Sequence, residues 1–223
     1  MKEEKYKKFE DQFNFSESDY LHQTDFLNWY RHFFVIKEIF DFEPQKILEM
    51  GSGNGIVKNS LKSIIGEYKT MDINKELKPD YLSDIRNFNP ELKEKFDCVL
   101  ATDILEHIPY GDMAKSLENI FLYLERGGRA IIAIPHRADY FLFMLPFGSP
   151  HVLRMPSKIL SPVAIARRIS KKSWIDFFHC WEIGVGGIKK KSVEDAMKKV
   201  GFKIEKSKTL LYVDFWVLHK NLK

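Results

Sequence analysis

The amino-acid sequence predicts an α/β fold in which short apolar strands alternate with helices around a mostly parallel sheet. Apolar runs of strand length recur along the chain, at residues 46–50, 68–72, 96–101 and 129–134. Segments with helical periodicity lie between them, as βαβ crossovers require. The chain has 223 residues, enough for one domain with a sizeable core, and we expect a single domain over 1–223.

The first half of the chain shows a helix before the first strand and another after it. Residues 24–40 place apolar side chains at helical spacing, with Thr24 or Asp25 as the N-cap. Residues 55–65 predict a helix that follows the first strand. A short third strand is expected at 80–82, after the strand at 68–72.

A third predicted helix spans residues 112–124, between the fourth and fifth strands. Asp112 is expected to cap its first turn, and Gly127 to close it. Its apolar residues recur every three or four positions, which indicates one face packed on the sheet.

The last helix is expected at 192–202. Ser192 and Asp195 have the spacing of a capping box, and Gly201 stands where a helix commonly ends. Two further strands are close enough in sequence to pair as an antiparallel hairpin, near 203–206 and 209–218.

Composition and charge favour a soluble protein of the cytoplasm. The net charge of +4 is too small to indicate nucleic-acid binding by itself. The two cysteines, Cys98 and Cys180, provide neither a disulfide framework nor zinc-ligand spacing, which is typical of a reducing compartment. The charged N-terminus lacks the apolar stretch of a signal peptide, and no run of about 18 apolar residues is present to span a membrane.

A glycine-rich loop lies between the first strand and its helix, in the stretch "ILEMGSGNG" at 47–55. Small residues there let the backbone approach a ligand, and the helix N-terminus offers free N–H groups. The spacing Gly51-x-Gly53-x-Gly55 lacks the last glycine of the dinucleotide fingerprint, because Ile56 follows. A P-loop would also need a Gly-Lys-Ser/Thr ending, which is absent.

Three acids indicate what the loop binds. Glu49, two residues before the first glycine, would repel a pyrophosphate and favour a cationic group. Asp72 ends the second strand, where an acid can accept from ribose hydroxyls. Asp84 follows the weak third strand and could reach an adenine amino group; for Asp72 and Asp84 the alternative is an ordinary capping role. The expected ligand has a cationic head, a ribose and an adenine, without phosphate.

The chain resembles the class I S-adenosylmethionine-dependent methyltransferases, in particular the small-molecule branch that includes the type 11 group. The resemblance rests on five segments: "ILEMGSGNG", "MDI", "SDI", "FDCVLATDILEHI" at 96–108 and "LERGGRAIIAIPH" at 124–136. It implies a Rossmann-like, doubly wound sheet of seven mostly parallel strands with an antiparallel C-terminal strand. It also implies S-adenosyl-L-methionine as cofactor, S-adenosyl-L-homocysteine as product, an N-terminal helical cap over 1–40 and a lid insert over 137–190.

By this resemblance the cofactor contacts the ends of the first, second and fourth strands and the cap. The implied cofactor residues are Glu49, Gly51, Ser52, Gly53, Asn54, Gly55, Asp72, Ile73, Asp84, Ile85, Thr102, Asp103 and Arg31. Arg31 could pair with the cofactor carboxylate, and the alternative for it is a surface ion pair.

Three histidines are the predicted catalytic residues. His107 follows the fourth strand, His136 follows the fifth, and His179 lies in "FFHCWEIG", a segment that also resembles this branch. A neutral imidazole could take the proton of an acceptor hydroxyl. The alternatives are a cap or core role for His107 and packing beside Trp181 for His179. In some related O-methyltransferases an acid and a Glu-His pair bind a divalent cation, which here would be Asp103, Glu106 and His107; we expect no metal.

The insert carries the local basic charge, because no Asp or Glu occurs between Tyr140 and Ile175. A basic lid over the site favours an anionic acceptor. The predicted acceptor-binding residues are Arg154, Arg167, Arg168 and, from the cap, Tyr20; Lys158, Lys171 and Lys172 add to the charge. A solvated basic face, or a surface for RNA or a membrane, are the alternatives.

These observations predict methyl transfer to an oxygen of a small anionic molecule, a phosphorylated or carboxylated metabolite or a cell-surface sugar precursor. An RNA or protein methyltransferase is one alternative. The Asn/Asp-Pro-Pro-aromatic signature of base amino methylation is missing after the fourth strand, where "TDILEH" stands. A non-catalytic cofactor-binding partner subunit is the other alternative. Nucleic-acid partners and a transmembrane segment are not expected.

Overall fold

A computed structural model describes residues 9–136, 140–145, 151–156, 176 and 178–221 of the chain, with backbone alone for residues 9–10, 140–145 and 151–156. The central feature is a seven-stranded sheet with spatial order β3-β2-β1-β4-β5-β9-β8. Its strands are β1 (Lys46–Met50), β2 (Glu67–Asp72), β3 (Tyr81–Leu82), β4 (Phe96–Thr102), β5 (Leu124–Pro135), β8 (Phe202–Thr209) and β9 (Val213–Lys220).

The pairing confirms the fold class. Strands β1 to β5 run parallel, and β9 runs antiparallel to both of its neighbours, β5 and β8. The order places β1 and β4 at the centre, so the chain winds outward from them in both directions. Two further strands, β6 (Tyr140–Leu145) and β7 (His151–Pro156), form a separate antiparallel hairpin that the sequence did not predict.

Helices cover both faces of the sheet. Among the described residues, the helices are α1 (Glu17–His22), α2 (Phe26–Phe42), α3 (Ile56–Leu61), α4 (Met113–Tyr123) and α5 (Lys190–Val200). The 3₁₀ turns of this part of the chain lie at Phe9–Asn14, Lys75–Leu77, Pro90–Leu92, Leu105–His107 and Tyr110–Asp112. Asp25 caps α2 by accepting from the N–H of Asn28, as predicted. Among these helices none is long and apolar enough to cross a membrane.

Two predictions about the ends of helix α4 are wrong. Helix α4 ends at Tyr123, because β5 starts at Leu124 to pair with β4, and Gly127 therefore lies within the strand. The side chain of Asp112 makes no capping hydrogen bond and lies 3.5 Å from Arg86 instead.

Helix α5 starts at Lys190, so Ser192 lies inside the first turn and forms no capping box. Gly201 does end this helix, in a left-handed conformation with φ 119°. The helix predicted at 55–65 is also shorter than expected, ending at Leu61.

Two apolar cores lie on opposite faces of the sheet. On one face α4 and α5 pack against the strands, and on the other face α2 and α3 do so. Strand β9 serves both cores, because Trp216 and Leu218 face the first while Phe215 and Val217 face the second. This two-sided burial fixes the register of the central strands.

The carboxyl ends of the parallel strands meet at one edge of the sheet. There β1 leads into the glycine loop, β2 into Asp72, β4 into Asp103 and β5 into His136. In open α/β sheets this edge, at the point where the strand order reverses, is where ligands bind.

Replacing Gly201 with Ala tests how α5 ends. The added Cβ would meet the Phe121 ring at 3.3 Å, in a backbone conformation with φ 119° that L-residues rarely adopt. We expect Gly201→Ala to lower the free energy of unfolding by about 1–2 kcal/mol, measured by urea denaturation. Gly111→Ala is the matched control, because a Cβ there meets nothing within 4 Å; equal stability of the two variants would contradict the assignment.

Candidate active site

The glycine loop requires glycine for two reasons: its backbone takes positive φ angles, and at Gly51 there is no room for a Cβ atom. Gly51, Gly53 and Gly55 all have positive φ, at 76°, 48° and 65°. A Cβ on Gly51 would lie 2.7 Å from Cδ1 of Ile104, so the loop packs directly against the segment that follows β4. The loop therefore brings its backbone close to the edge at which β4 ends.

The N-terminal segment anchors this loop. Asn54 donates from Nδ2 to Thr24 Oγ1 at 3.1 Å, lies 3.3 Å from Nε2 of His32, and accepts from the N–H of Ile56 at 3.1 Å. The Asn54 side chain is thus used to hold the loop against the cap. The backbone of Ser52 hydrogen-bonds Asp72, which ties the loop to the end of β2.

Glu49 is buried at the end of β1 and has a partner that the sequence did not reveal. The hydroxyl of Tyr68 donates to Oε2 of Glu49 at 2.9 Å, and the side chain is 5% exposed. Burial raises the pKa of Glu49 to about 7, against the opposing effects of the Tyr68 hydrogen bond and the Arg31 charge.

Asp72 and Tyr20 lie beside the glycine loop. Asp72 accepts from the N–H of Asn74 at 2.8 Å, and burial raises its pKa. The Tyr20 ring is 3.9 Å from where a Cβ on Gly53 would lie, and its hydroxyl donates to the carbonyl of Gln12. The structure therefore places Tyr20 next to the loop predicted for the cofactor. Ile73, on the same edge, is 47% exposed.

The polar groups of the segment after β3 form hydrogen bonds with other groups of the protein. Both carboxylate oxygens of Asp84 accept from the guanidinium of Arg86, and this interaction lowers the pKa of Asp84. Ile85 is buried in the core, and its carbonyl accepts from Asn119.

A buried network connects α2 with the end of β4. Arg31 is 7% exposed, so the surface ion pair considered for it is wrong. Its guanidinium donates to Thr102 Oγ1 at 2.9 Å and pairs with Asp103 Oδ2 at 3.0 Å. Tyr212, which the sequence did not single out, accepts from Arg31 and lies 3.0 Å from Asp103 and 2.9 Å from Asn28.

Beyond Asp103, three side chains converge. Glu106 is fully buried, and its Oε1 lies 3.8 Å from Nε2 of His107 and 4.0 Å from Nε2 of His179. The two imidazole rings stand edge to face, with centroids 5.0 Å apart. Neither carboxylate oxygen of Glu106 has a hydrogen-bond partner among the described residues.

The ionisation of these groups reflects their burial. Burial, together with the nearby Asp103 charge, raises the pKa of Glu106 to about 8. Burial, together with the charge of the neighbouring His179, lowers the pKa of His107 to about 4. For His179, burial is outweighed by the hydrogen bond to Glu182 and by the Glu106 charge, so its pKa is raised.

A segment distant in sequence, 178–182, holds this cluster together. Nδ1 of His107 donates to the carbonyl of Phe178 at 2.8 Å, and the indole of Trp181 donates to the carbonyls of Leu105 and Ile108. Nδ1 of His179 lies 2.9 Å from Oε1 of Glu182. His179 therefore points at Glu106 rather than packing beside Trp181.

Glu182 is a site residue that sequence reasoning missed. The Trp-Glu pair after His179 belongs to the segment that carries the family resemblance, and its spacing does not indicate that the carboxylate meets the imidazole.

The cation-binding set that the resemblance implied is not the one that assembles. Asp103 turns to Arg31 and Tyr212. Within the part of the chain that the structure describes, the group of three metal-ligand-type side chains whose ligand atoms all lie within 4.8 Å of one another is Glu106, His107 and His179.

The remaining predicted residues lie elsewhere. His136, at the end of β5, has Nδ1 3.9 Å from Oδ2 of Asp214, so it faces β9. Arg154 is on β7, whose side chains the structure does not describe. Outside the described residues are Arg167, Arg168, Lys158, Lys171 and Lys172.

The pH dependence of stability tests the burial of Glu49. Because its pKa is about 7 in the folded protein and near 4.5 when unfolded, the folded state binds more protons between these values. Glu49 therefore destabilises the fold as pH rises from about 4.5 to 7. We expect Glu49→Gln to gain stability relative to wild type across this interval, measured by urea unfolding at several pH values. A constant difference would contradict the raised pKa.

Removing one hydroxyl tests the Arg31 network. Tyr212→Phe deletes the group shared by Arg31, Asp103 and Asn28, and leaves these polar groups less satisfied. We expect a loss of about 1–3 kcal/mol in the free energy of unfolding. Tyr110→Phe is the control, because the Tyr110 ring packs edge-on against Trp181 and the ring is kept; similar losses in both variants would contradict the network's role.

Comparison with known proteins agrees with this geometry. A family model described as a methyltransferase domain matches residues 22–207. The ubiquinone biosynthesis O-methyltransferase of Proteus mirabilis is 24% identical over 147 residues, which is 59% of each chain. The chain thus spans about three fifths of the length of that curated relative.

Solved structures share the fold at low sequence identity. Magnesium protoporphyrin IX methyltransferase from Synechocystis, with bound S-adenosylhomocysteine, has a TM-score of 0.61 at 12% identity, over 95% of this chain and 97% of that one. The N-methyltransferase NodS from Bradyrhizobium japonicum, in complex with S-adenosylhomocysteine, has a TM-score of 0.60 at 12% identity, over 96% and 97%.

The family match covers most of the chain, and the strand order, the glycine loop and the acid that ends β2 agree with it. The chain belongs to this methyltransferase-domain family.

Proposed function

We propose that this protein transfers a methyl group from S-adenosylmethionine to an oxygen of a small anionic molecule. The observation that carries the proposal is the meeting of two groups of residues at one sheet edge. The glycine loop and Asp72 form one group, and Glu106, His107 and His179 form the other. Ile104, which contacts the loop at Gly51, lies between them in the chain.

The residues at the loop fit the cofactor. The positive-φ glycines give close backbone approach, Asp72 suits the ribose hydroxyls, and Glu49 suits the ammonium group. When bound, the cofactor supplies an electrophilic methyl group on a sulfonium. The contacts of Arg31 support a role in holding Thr102 and Asp103 beside that group, rather than pairing with the cofactor carboxylate.

The choice of oxygen rests on the polar cluster after β4. An acceptor hydroxyl must lose its proton as the new O–C bond forms. Glu106, His107 and His179 concentrate, at one point, groups that can accept a proton or hold an oxyanion. The curated relative is named as an O-methyltransferase, which agrees with this choice. Which of His107, His136 and His179 acts as a base stays a prediction.

The anionic character of the acceptor rests on the insert. The absence of Asp and Glu between Tyr140 and Ile175, together with Arg154, Arg167 and Arg168, favours phosphate or carboxylate on the acceptor. A cytoplasmic location also stays a prediction. RNA or protein methylation, and a non-catalytic role beside a partner subunit, remain the alternatives that an acceptor screen would test.

Cofactor binding can be tested at Asp72. Loss of its carboxylate removes charge-assisted hydrogen bonds to the ribose, so we expect Asp72→Ala to weaken S-adenosylhomocysteine binding by about 10–100-fold in isothermal titration. Asp41→Ala is the matched control, since Asp41 forms an exposed ion pair with Lys37 and should bind as wild type does. Equal affinity of both variants would overturn the ribose assignment.

A methyl-transfer screen over phosphorylated and carboxylated metabolites tests the acceptor. Turnover of such a molecule with release of S-adenosylhomocysteine supports the proposal. Binding of the cofactor without any accepted small molecule, together with a protein that co-purifies stoichiometrically, would favour the partner-subunit alternative. Salt-sensitive binding and methylation of RNA would favour the nucleic-acid alternative.

A further inference from the structure

The carboxylate of Glu106 has no evident structural role. It is 0% exposed, and among the described residues neither of its oxygens receives a hydrogen bond. A buried carboxyl group that has no hydrogen-bond partner is destabilising, whether it is ionised or protonated. A group placed at such cost is typical of a site completed by a ligand, and the ligand must be positively charged or a strong hydrogen-bond donor.

The neighbouring imidazoles are oriented as metal ligands. A carbonyl oxygen can only accept, so Nδ1 of His107, 2.8 Å from the carbonyl of Phe178, carries a hydrogen. Its Nε2, on the Glu106 side, therefore bears a lone pair when the ring is neutral. His179 repeats the arrangement, with Nδ1 on the Glu182 carboxylate and Nε2 toward Glu106.

This pattern is the one that metal-binding histidines show. In metal sites the ligating imidazole commonly gives its other N–H to a carbonyl or a carboxylate, which fixes the tautomer and orients the ring. Here the carbonyl of Phe178 and the carboxylate of Glu182 occupy these two positions. Both come from the segment 178–182, which three further hydrogen bonds fasten to the turn carrying Glu106 and His107.

The distances suit a small divalent ion. A metal with nitrogen and oxygen ligands at about 2.1 Å separates neighbouring ligand atoms by roughly 3.4 Å. The separations here are 3.8 Å and 4.0 Å, and all three ligand atoms lie within 4.8 Å of one another. Small side-chain rotations would bring the three ligand atoms closer together around an ion.

We propose that Glu106, His107 and His179 form a binding site for a divalent transition-metal ion such as Zn²⁺, with coordination positions left for an oxygen of the acceptor. Two imidazoles and one carboxylate suit this class of ion. Asp103 is not a ligand, because its carboxylate pairs with Arg31 and Tyr212. His179, which is 72 residues beyond His107, takes its place.

The role of the ion in methyl transfer rests on the proposed function, whereas its binding does not. When bound, the ion would supply positive charge beside the acceptor oxygen, which stabilises an oxyanion. The acceptor class would then be a molecule that presents anionic oxygens to the metal. The binding experiment therefore uses the protein without cofactor or acceptor, so that its failure is distinguishable from failure of the methyltransferase proposal.

The test is a metal titration of the untagged full chain after removal of metals with a chelator. We expect one Zn²⁺ per chain by competition with a chromogenic chelator, and a visible absorption band on Co²⁺ addition from nitrogen and oxygen ligation. Glu106→Gln and His179→Gln should each weaken Zn²⁺ binding by about 100-fold or more. Glu182→Gln, which removes only the partner of a ligand, should weaken it by about 10-fold.

Two comparisons make the result decisive. His22→Gln is the control, since His22 is on α1 and hydrogen-bonds Ser18, and it should bind Zn²⁺ as wild type does. Asp103→Asn should keep most of the affinity, whereas it would abolish binding if Asp103 were the third ligand. Circular dichroism confirms that each variant is folded; Glu106→Gln keeps the size and shape of the side chain and removes its ionisable group.

The proposal is overturned by any of three results: no stoichiometric binding of Zn²⁺ or Co²⁺ by the folded wild type, a His179→Gln variant that binds Zn²⁺ as tightly as wild type, or a His22→Gln variant that loses the site.

Discussion

The buried Arg31 guanidinium is the contact on which the geometry of the site depends. A buried cation must have its donors satisfied, and Arg31 finds acceptors on Thr102, Asp103 and Tyr212. These residues come from the end of β4 and the turn before β9, and Arg31 itself comes from α2. One side chain thus joins the N-terminal cap to two strands and fixes where the chain goes after β4. Asp103 takes the left-handed conformation, with φ 52°, in this setting.

A second contact fixes the same turn from the other side. In the segment 178–182, the indole N–H of Trp181 donates to the carbonyls of Leu105 and Ile108. The backbone N–H of Cys180 donates to the carbonyl of Glu106. Held between these two contacts, Glu106 cannot swing to solvent. The fold thereby keeps an ionisable group where it destabilises the unliganded protein, as functional sites commonly do. The cap also reaches this segment, since the ring of Phe15 contacts those of Tyr20 and Phe178.

Local signals in the sequence were sufficient for the parallel half of the fold. The apolar strands, the glycine loop and Asp72 are each read from a few neighbouring residues, and the structure places them as expected. The capping roles predicted for Gly127 and Ser192 were wrong because tertiary structure overrides local capping preference. Leu124 pairs with Phe96, which ends α4 before Gly127, and α5 already starts at Lys190, ahead of Ser192. The β6–β7 hairpin falls in a stretch with poor periodicity, which gives no such signal.

The side-chain partners within the site were less accessible to sequence reasoning. His107 and His179 were recognised, yet their meeting at Glu106 depends on packing between segments about 70 residues apart. Tyr212 and Glu182 carry no local signal, since a tyrosine in a turn and an acid after a tryptophan are ordinary. Such contacts are products of tertiary structure, and residue type alone indicates neither partner nor distance.

A crystal structure with S-adenosylhomocysteine tests the central claim most directly. The account predicts that the adenosine lies along the glycine loop with its ribose on Asp72, and that the sulfur faces Glu106, His107 and His179 across an open space for the acceptor. A sulfur directed away from these three side chains, or a cofactor bound at another edge of the sheet, would contradict it.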